Sequence, residues 1–428
     1  MSRTLQIDLL FNYASLAIVA AGGLLVNLLV GRALGAAALG VFNQAFAVYV
    51  ATSQLAVGGV HIAVLRSVAQ AAGRPEQARS VAAGLALSLL LGSLLCALLL
   101  LSRELVGRWL GSPEVGVALL YVGPALIPFA LNKTLMATLN GLGSMRRFAV
   151  LQSLRLVALL AVLAVVAARG QSAADLTLAL LVAEVVVLLA AAPHVFRRLQ
   201  LRPAHVERGW MERHLAFGVR GLLSGVFIEL NTRIDVLAIG YFLSDADVGR
   251  YSLAAVFAEG LYQCLVVVRN QMNPLLAKLW VAGDVEAMLL LVHRGWRYLY
   301  PGMLVAYLAG LGVLYWAFSL QAELGEPATV LACYAILGAG VLAVSGFAPF
   351  DGILLQAGRP AHYTLLTFLV AVSNLLFNLA LIPWWGIRGA ALGTALSLGL
   401  SIPWLSSIMR WQLGFSYLRL RTVTNSPS

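Results

Sequence analysis

Residues 80–101 read SVAAGLALSLLLGSLLCALLLL, twenty-two positions in a row without a charged side chain. A run of ~20 predominantly apolar residues is long enough, as a helix, to cross the hydrocarbon core of a bilayer. Such stretches recur from end to end. The sequence predicts spans at 9–34, 37–65, 80–101, 114–139, 148–168, 174–196, 215–241, 245–271, 295–319, 327–352, 363–384 and 387–410. Composition agrees: 61% of the residues are hydrophobic and 11% charged. Soluble domains carry roughly 45–50% apolar and about 25% charged residues. No soluble core buries that much apolar surface, so lipid is the solvent for most of the chain, and nothing is left over for a soluble domain.

The first apolar stretch, 9–34, has no cleavage-site pattern and exceeds a signal-peptide core of ~7–15 residues; it reads as a retained first helix. Cys96, Cys264 and Cys333 fall in separate expected helices, which argues against a disulfide or metal framework. The net charge of +11 is distributed by topology. With the N-terminus inside, the inner connections hold Arg66, Arg74 and Arg79, then Arg146 and Arg147, then Arg197, Arg198, Arg202, Arg208 and Arg213, then Arg294 and Arg297. The outer turns carry Asp245 and Asp247, or Glu323 and Glu326. This is the positive-inside asymmetry. It places both termini in the cytoplasm, and no basic tract interleaved with aromatics suggests a nucleic-acid partner.

Internal repetition organises the twelve spans. Gly31-Arg32-Ala33-Leu34-Gly35, followed by Gly40, recurs as Gly240-Tyr241-Phe242-Leu243-Ser244, followed by Gly249; both glycine pairs are 209 positions apart. Asn140-Gly141-Leu142-Gly143-Ser144 similarly anticipates Leu355-Gln356-Ala357-Gly358-Arg359, at an offset of 215. Six spans per half is an even number, so the halves share one orientation. The expected organisation is an N-terminal six-helix lobe at 1–198, a basic cytoplasmic linker at 199–214, and a C-terminal six-helix lobe with a short tail at 215–428.

Polar residues inside the bilayer are costly and usually face a bundle interior or a watery cavity. At ~100° per residue, Asn43, Gln54 and His61 share a face of the second helix. Ser252, Gln263 and Asn270 occupy the matching positions of the eighth, joined by Glu259. Arg220, Ser224, Asn231 and Asp235 share a face of the seventh helix, and Asn12, Ser15, Gly22, Gly23 and Asn27 make a small, polar face on the first. Small and polar residues also accumulate at helix–helix packing faces. Packing alone does not call for Arg220, Asp235 and Glu259, so the stripes are read as a hydrophilic cavity lined by helices 1, 2, 7 and 8. Lys133 and Arg155 are further candidates for function against snorkelling at helix ends. Glu229 and Arg233, four positions apart, read as an intrahelical pair. Glu184 has no local partner; an interhelical hydrogen bond or a proton-linked role would account for it. Pro124 and Pro128 are expected to kink helix 4, and Pro349 helix 10.

The chain resembles the Wzx-type oligosaccharide flippases, within the superfamily that also holds the multidrug and toxin extrusion antiporters and the lipid II flippase. The resemblance covers essentially the whole chain. It rests on Gly31–Gly35 with Gly40, on Asp235 through Gly240 with Gly249-Arg250-Tyr251-Ser252, and on Gly358-Arg359-Pro360 through Ile382-Pro383-Trp384-Trp385-Gly386-Ile387-Arg388-Gly389-Ala390-Ala391-Leu392-Gly393. It implies an all-α polytopic membrane protein, two parallel six-helix lobes forming a V, and alternating access. It further implies translocation of an undecaprenyl-diphosphate-linked oligosaccharide from the cytoplasmic to the periplasmic leaflet of a bacterial inner membrane. A polysaccharide polymerase and a chain-length regulator are the implied protein partners. A diphosphate needs cationic partners away from bulk water, where charge-assisted hydrogen bonds are strong. Lys133, Arg155, Arg220 and Arg233 are assigned to it, Arg233 last. Asn12, Asn43, Gln54, His61, Ser224, Asn231, Gln263 and Asn270 are assigned to the sugar path. No cofactor is expected; Asp235 and Glu259 are assigned to coupling with H+ or Na+. The alternative is a cation-coupled drug or metabolite exporter, disfavoured because the first helix has no acid beyond Asp8. An enzyme of the same pathway is disfavoured because the outer connections are short and no nucleophile–base or metal-ligand constellation stands out.

Overall fold

The computed structural model describes residues 3–319 and 326–418, with the side chains at 3–21, 220, 221, 223, 224, 317 and 319 outside the described set. The described residues form an all-α membrane fold. In chain order the spans are α1 (3–34), α2 (36–57, continued by Val60–Gln70), α3 (Arg74–Trp109), α4 (Pro113–Gly141), α5 (Met145–Ala168) and α6 (Leu178–Leu199, entered through a 3-10 turn at Ala174–Thr177). Then follow α7 (Arg208–Asn231, continued by Ile234–Phe242), α8 (Asp245–Val281), α9 (Val285–Ser319), α10 (Pro327–Val344), α11 (360–385) and α12 (387–413). Nine helices among the described residues are long and apolar enough to cross a membrane. Two of these, Gly22–Val57 and Pro360–Leu413, are each two spans meeting at a glycine, Gly35 with φ 81° and Gly386 with φ 57°. That left-handed geometry carries little steric cost only for glycine. The twelfth is α7.

Three expectations about continuity are corrected. Helix 2 is interrupted at Gly58-Gly59, whose positive φ values end one helix and begin the next. His61 therefore lies beyond a break, and a single 100° wheel does not align it with Asn43 and Gln54. Helix 7 is interrupted at Thr232–Arg233, so Asp235 opens a second, short helix instead of extending the face of Asn231. Helix 10 stops at Val344, and Pro349 sits in a 3-10 turn, Ala348–Phe350, not within a helix. Pro124 and Pro128, by contrast, lie inside an α4 that runs unbroken from Pro113 to Gly141. Helices α3, α8 and α9 outrun their apolar windows because their polar ends continue as helix beyond the lipid-facing stretch.

Two compact units divide the chain, up to Leu253 and from Ala254. In the first, α4 is central: it packs on α3, α6 and both parts of α2, while α5 packs on α1 and α6. Val41, Ala45, Tyr49, Leu119, Leu126 and Phe129 are buried in this core. In the second, α10 packs on α9 and on the α11–α12 pair. Leu276, Val292, Phe350, Ile353 and Met409 belong to an apolar cluster of this unit.

The repeat has a geometric counterpart within the first unit. The start of α2 and the start of α8 cross so closely that a Cβ at Gly40 would collide with the Asp245 carbonyl, and one at Gly249 with the Ala36 carbonyl. Positions 36 and 245 are 209 apart, as are 40 and 249. Each repeat therefore places its glycine on the other's equivalent residue, which is the contact pattern of a two-fold exchange. Asp245 also accepts hydrogen bonds from Gln44 Nε2 at 2.5 Å and from Ser112 Oγ at 2.8 Å.

Candidate functional site

A polar cluster of the first unit is built around Glu184 of α6. Glu184 is 4% exposed, and an isolated ion at that depth is strongly disfavoured. Three other helices compensate for it. From α5, Arg155 closes bidentately, with Nε 2.9 Å from Oε1 and Nη2 3.2 Å from Oε2. From α4, Asn132 Nδ2 donates to Oε2 and to the Glu184 carbonyl, at 2.8 Å each. From α2, Tyr49 Oη donates to Oε1 at 3.3 Å. The interhelical reading of Glu184 therefore matches the geometry, and α2, α4, α5 and α6 meet at a single carboxylate.

Lys133 follows Asn132 and projects to another side of α4. Its ammonium lies 5.3 Å from the centroid of the Phe129 ring, and the Arg155 guanidinium lies 5.9 Å from the same ring. Two cations thus lie close to one aromatic ring, and the ring quadrupole favours each of these contacts. Among the described residues Lys133 makes no hydrogen bond or ion pair, although the charges of Arg155, Glu229 and Glu184 act on it. Half-buried His61 is within electrostatic reach of Lys133, and its buried Nδ1 has no hydrogen-bond partner among the described residues. The structure therefore brings Lys133, Arg155 and His61 into one neighbourhood. It adds Tyr49, Asn132 and Phe129, which the polar stripes did not single out because two of the three are aromatic.

The other expected residues are more dispersed. Asn43 is buried and donates to Asn27 Oδ1 and to the Leu39 carbonyl, at 3.0 Å each, so it joins α2 to α1. Gln54 and Asn231 are half-buried. Arg233, at the break in α7, lies 5.1 Å from the Phe46 ring. Asp235 is 7% exposed and accepts a hydrogen bond from Tyr251 Oη at 2.5 Å. The side chains of Asn12, Arg220 and Ser224 lie outside the described residues.

In the second unit, Gln263 and Asn270 are exposed and Glu259 is half-buried on α8. That unit has a charge cluster of its own, outside the residues expected from the polar stripes. Arg269 of α8 lies 3.4 Å from Asp351 Oδ1, in the turn that follows α10. It also donates to Tyr262 Oη at 3.0 Å, and the Tyr363 hydroxyl faces it as well. The available signal was a charge within an apolar helix, the same signal that marked Arg155.

Comparison with known proteins places this geometry in context. Residues 10–280, more than half of the chain, match the family model described as polysaccharide biosynthesis protein. A comparison with curated proteins finds no match. Among solved structures, an inward-facing multidrug resistance MATE family transporter of the MOP superfamily aligns at TM-score 0.77 and 16% identity, over 93% of this chain and 96% of that one. The lipid II flippase MurJ, in an inward closed conformation, aligns at TM-score 0.78 and 14% identity, over 94% and 87%. A MOP superfamily transporter from Pyrococcus furiosus aligns at 0.59 and 15%, over 95% and 93%. At these identities the likeness establishes the fold alone.

Proposed function

This chain belongs to the polysaccharide biosynthesis protein family, and on that premise we propose that it is a flippase for a lipid-linked oligosaccharide. The cargo is an undecaprenyl-diphosphate-linked repeat unit, moved from the cytoplasmic to the periplasmic leaflet of the inner membrane by alternating access, for surface polysaccharide such as the O-antigen of lipopolysaccharide. Both termini are cytoplasmic in this reading, the lobes divide at the basic linker 199–214, and the polymerase and chain-length regulator receive the product.

The observation that carries the proposal is Lys133. Of the four cations assigned to a diphosphate, it is a half-buried ammonium with no hydrogen bond or ion pair among the described residues, beside an aromatic face. An anion entering there would meet a charged donor away from bulk water, where such bonds are strong. Arg220 and Arg233 of α7 are the further cations of the head-group path. Asn43, Gln54, His61, Asn231, Gln263 and Asn270 line the route of the sugars, and Asp235 and Glu259 serve ion coupling.

Deletion of the gene tests the proposal: surface polysaccharide is lost and lipid-linked repeat units accumulate on the cytoplasmic leaflet. A plasmid copy restores the polymer, and Lys133→Ala, expressed to the same level in the membrane, does not. Normal polysaccharide together with altered drug sensitivity in the deletion strain would overturn the reading in favour of an exporter.

A further inference from the structure

Arg155 and Lys133 stand together, yet their surroundings assign them different work. The Arg155 guanidinium is committed to Glu184 through two contacts of 2.9 and 3.2 Å. The Glu184 carboxylate is in turn committed to Arg155, Asn132 and Tyr49, while its backbone carbonyl takes a second bond from Asn132. An anion recruiting Arg155 would have to strip the guanidinium from a buried carboxylate and leave that carboxylate without its counter-ion, which is strongly disfavoured. Lys133 carries no such commitment among the described residues, and both cations contact Phe129.

We infer that Glu184 is a positioning residue: it fixes Arg155 as scaffold between α5 and α6, and so leaves Lys133 as the group that meets the substrate's diphosphate. This inference rests on the flippase reading for the identity of the anion, but not for the role of the pair. Arg155 acts through Phe129 and the helix packing, and Glu184 acts through Arg155. Glu184 is not a coupling acid in this account, because its protonation would dismantle the junction of four helices.

The test uses the purified full-length protein in detergent, with farnesyl diphosphate as probe and farnesol as control, read by thermal shift and by calorimetry. Lys133→Met weakens farnesyl diphosphate binding by about tenfold or more, the expected loss of a charge-assisted contact, and leaves the melting temperature near that of the unsubstituted protein. Arg155→Met and Glu184→Leu each lower the melting temperature markedly, because the first strands the buried Glu184 carboxylate and the second the half-buried Arg155 guanidinium. The double variant Arg155→Met/Glu184→Leu recovers most of that loss, since an apolar replacement of a whole buried pair is often neutral or stabilising, and it binds the probe within about threefold of the unsubstituted protein. A double variant that melts normally but has lost binding as fully as Lys133→Met would make Arg155 a direct contact and overturn the inference. So would Glu184→Gln that keeps its stability and its binding but loses transport, the signature of a coupling acid. If the unsubstituted protein does not bind the probe, the lipid-diphosphate reading fails instead, and the scaffold role stands or falls on the stability cycle alone.

Discussion

Among the described residues, each compact unit holds an arginine–carboxylate pair largely out of solvent, and the two pairs are built in opposite senses. In the first, the carboxylate is the hub: Glu184 gathers Arg155, Asn132 and Tyr49 from three other helices. In the second, the guanidinium is the hub: Arg269 faces Asp351, Tyr262 and Tyr363. Among the described residues, the first leaves a second cation, Lys133, alongside and without a hydrogen bond or ion pair, whereas the groups acting on Arg269 are Asp351, Tyr262 and Tyr363. A buried ion pair is weak evidence for stability by itself, because desolvation offsets most of the Coulomb gain. A self-contained pair therefore reads as architecture. A pair with an uncommitted cation beside it reads as architecture that holds a site.

The sharpest way to break this comparison is to remove one member of the self-contained pair. Arg269→Met leaves the half-buried Asp351 carboxylate opposite an apolar side chain, and breaking the pair in this way costs up to about 3–5 kcal/mol, the range for a fully buried pair. Reduced accumulation in the membrane and a strongly lowered melting temperature in detergent are expected, with recovery in Arg269→Met/Asp351→Leu. If Arg269→Met melts normally and abolishes polysaccharide export, Arg269 belongs to a site, and the two units do not differ as argued. A smaller effect is expected from Tyr262→Phe. It deletes one hydroxyl bonded to a charged group, a contribution of about 1.5–3 kcal/mol, and thermal melts against the unsubstituted protein measure it. A change below about 0.5 kcal/mol would place Tyr262 outside the hub, since that is the range of substitutions away from such features.

Much of the scaffold was legible in the sequence, because hydropathy reports which residues face lipid and the bilayer sets how many are needed. All twelve expected spans correspond to helices, and the 209-residue offset recurs as the reciprocal crossing of Gly40 on Asp245 and Gly249 on Ala36. The interruptions were not legible. A break inside a span leaves the apolar window intact, so Gly58-Gly59 offered only the glycine pair itself, and Thr232–Arg233 offered no local signal of that kind. The charges at Lys133, Arg155 and Glu184 stood out because they are costly in lipid. Their partnership did not, since Tyr49, Asn132 and Arg155 lie 135, 52 and 29 positions from Glu184. Periodicity describes one helix at a time; a junction of four helices is a tertiary fact.

The smallest expected effect on stability is also the one that most sharpens the contrast between the units. Lys133 is half-buried, its ammonium rests 5.3 Å from the Phe129 centroid, and it makes no hydrogen bond or ion pair among the described residues. Lys133→Met keeps an unbranched chain along the same face of α4 and gives up a cation–π contact of about 0.5–1 kcal/mol. It also removes the cost of holding a partly desolvated ammonium near Arg155, which acts on it as a like charge. These contributions oppose one another, so the folded protein changes by less than about 1 kcal/mol, as for most substitutions outside buried networks. Thermal melts of Lys133→Met beside Arg269→Met measure the difference directly. A small shift for the lysine and a large one for the arginine separate a residue kept for its ligand from one kept for the fold. Equal losses would mean that Lys133 is as structural as Arg269, and that the site in the first unit has to be sought among other cations.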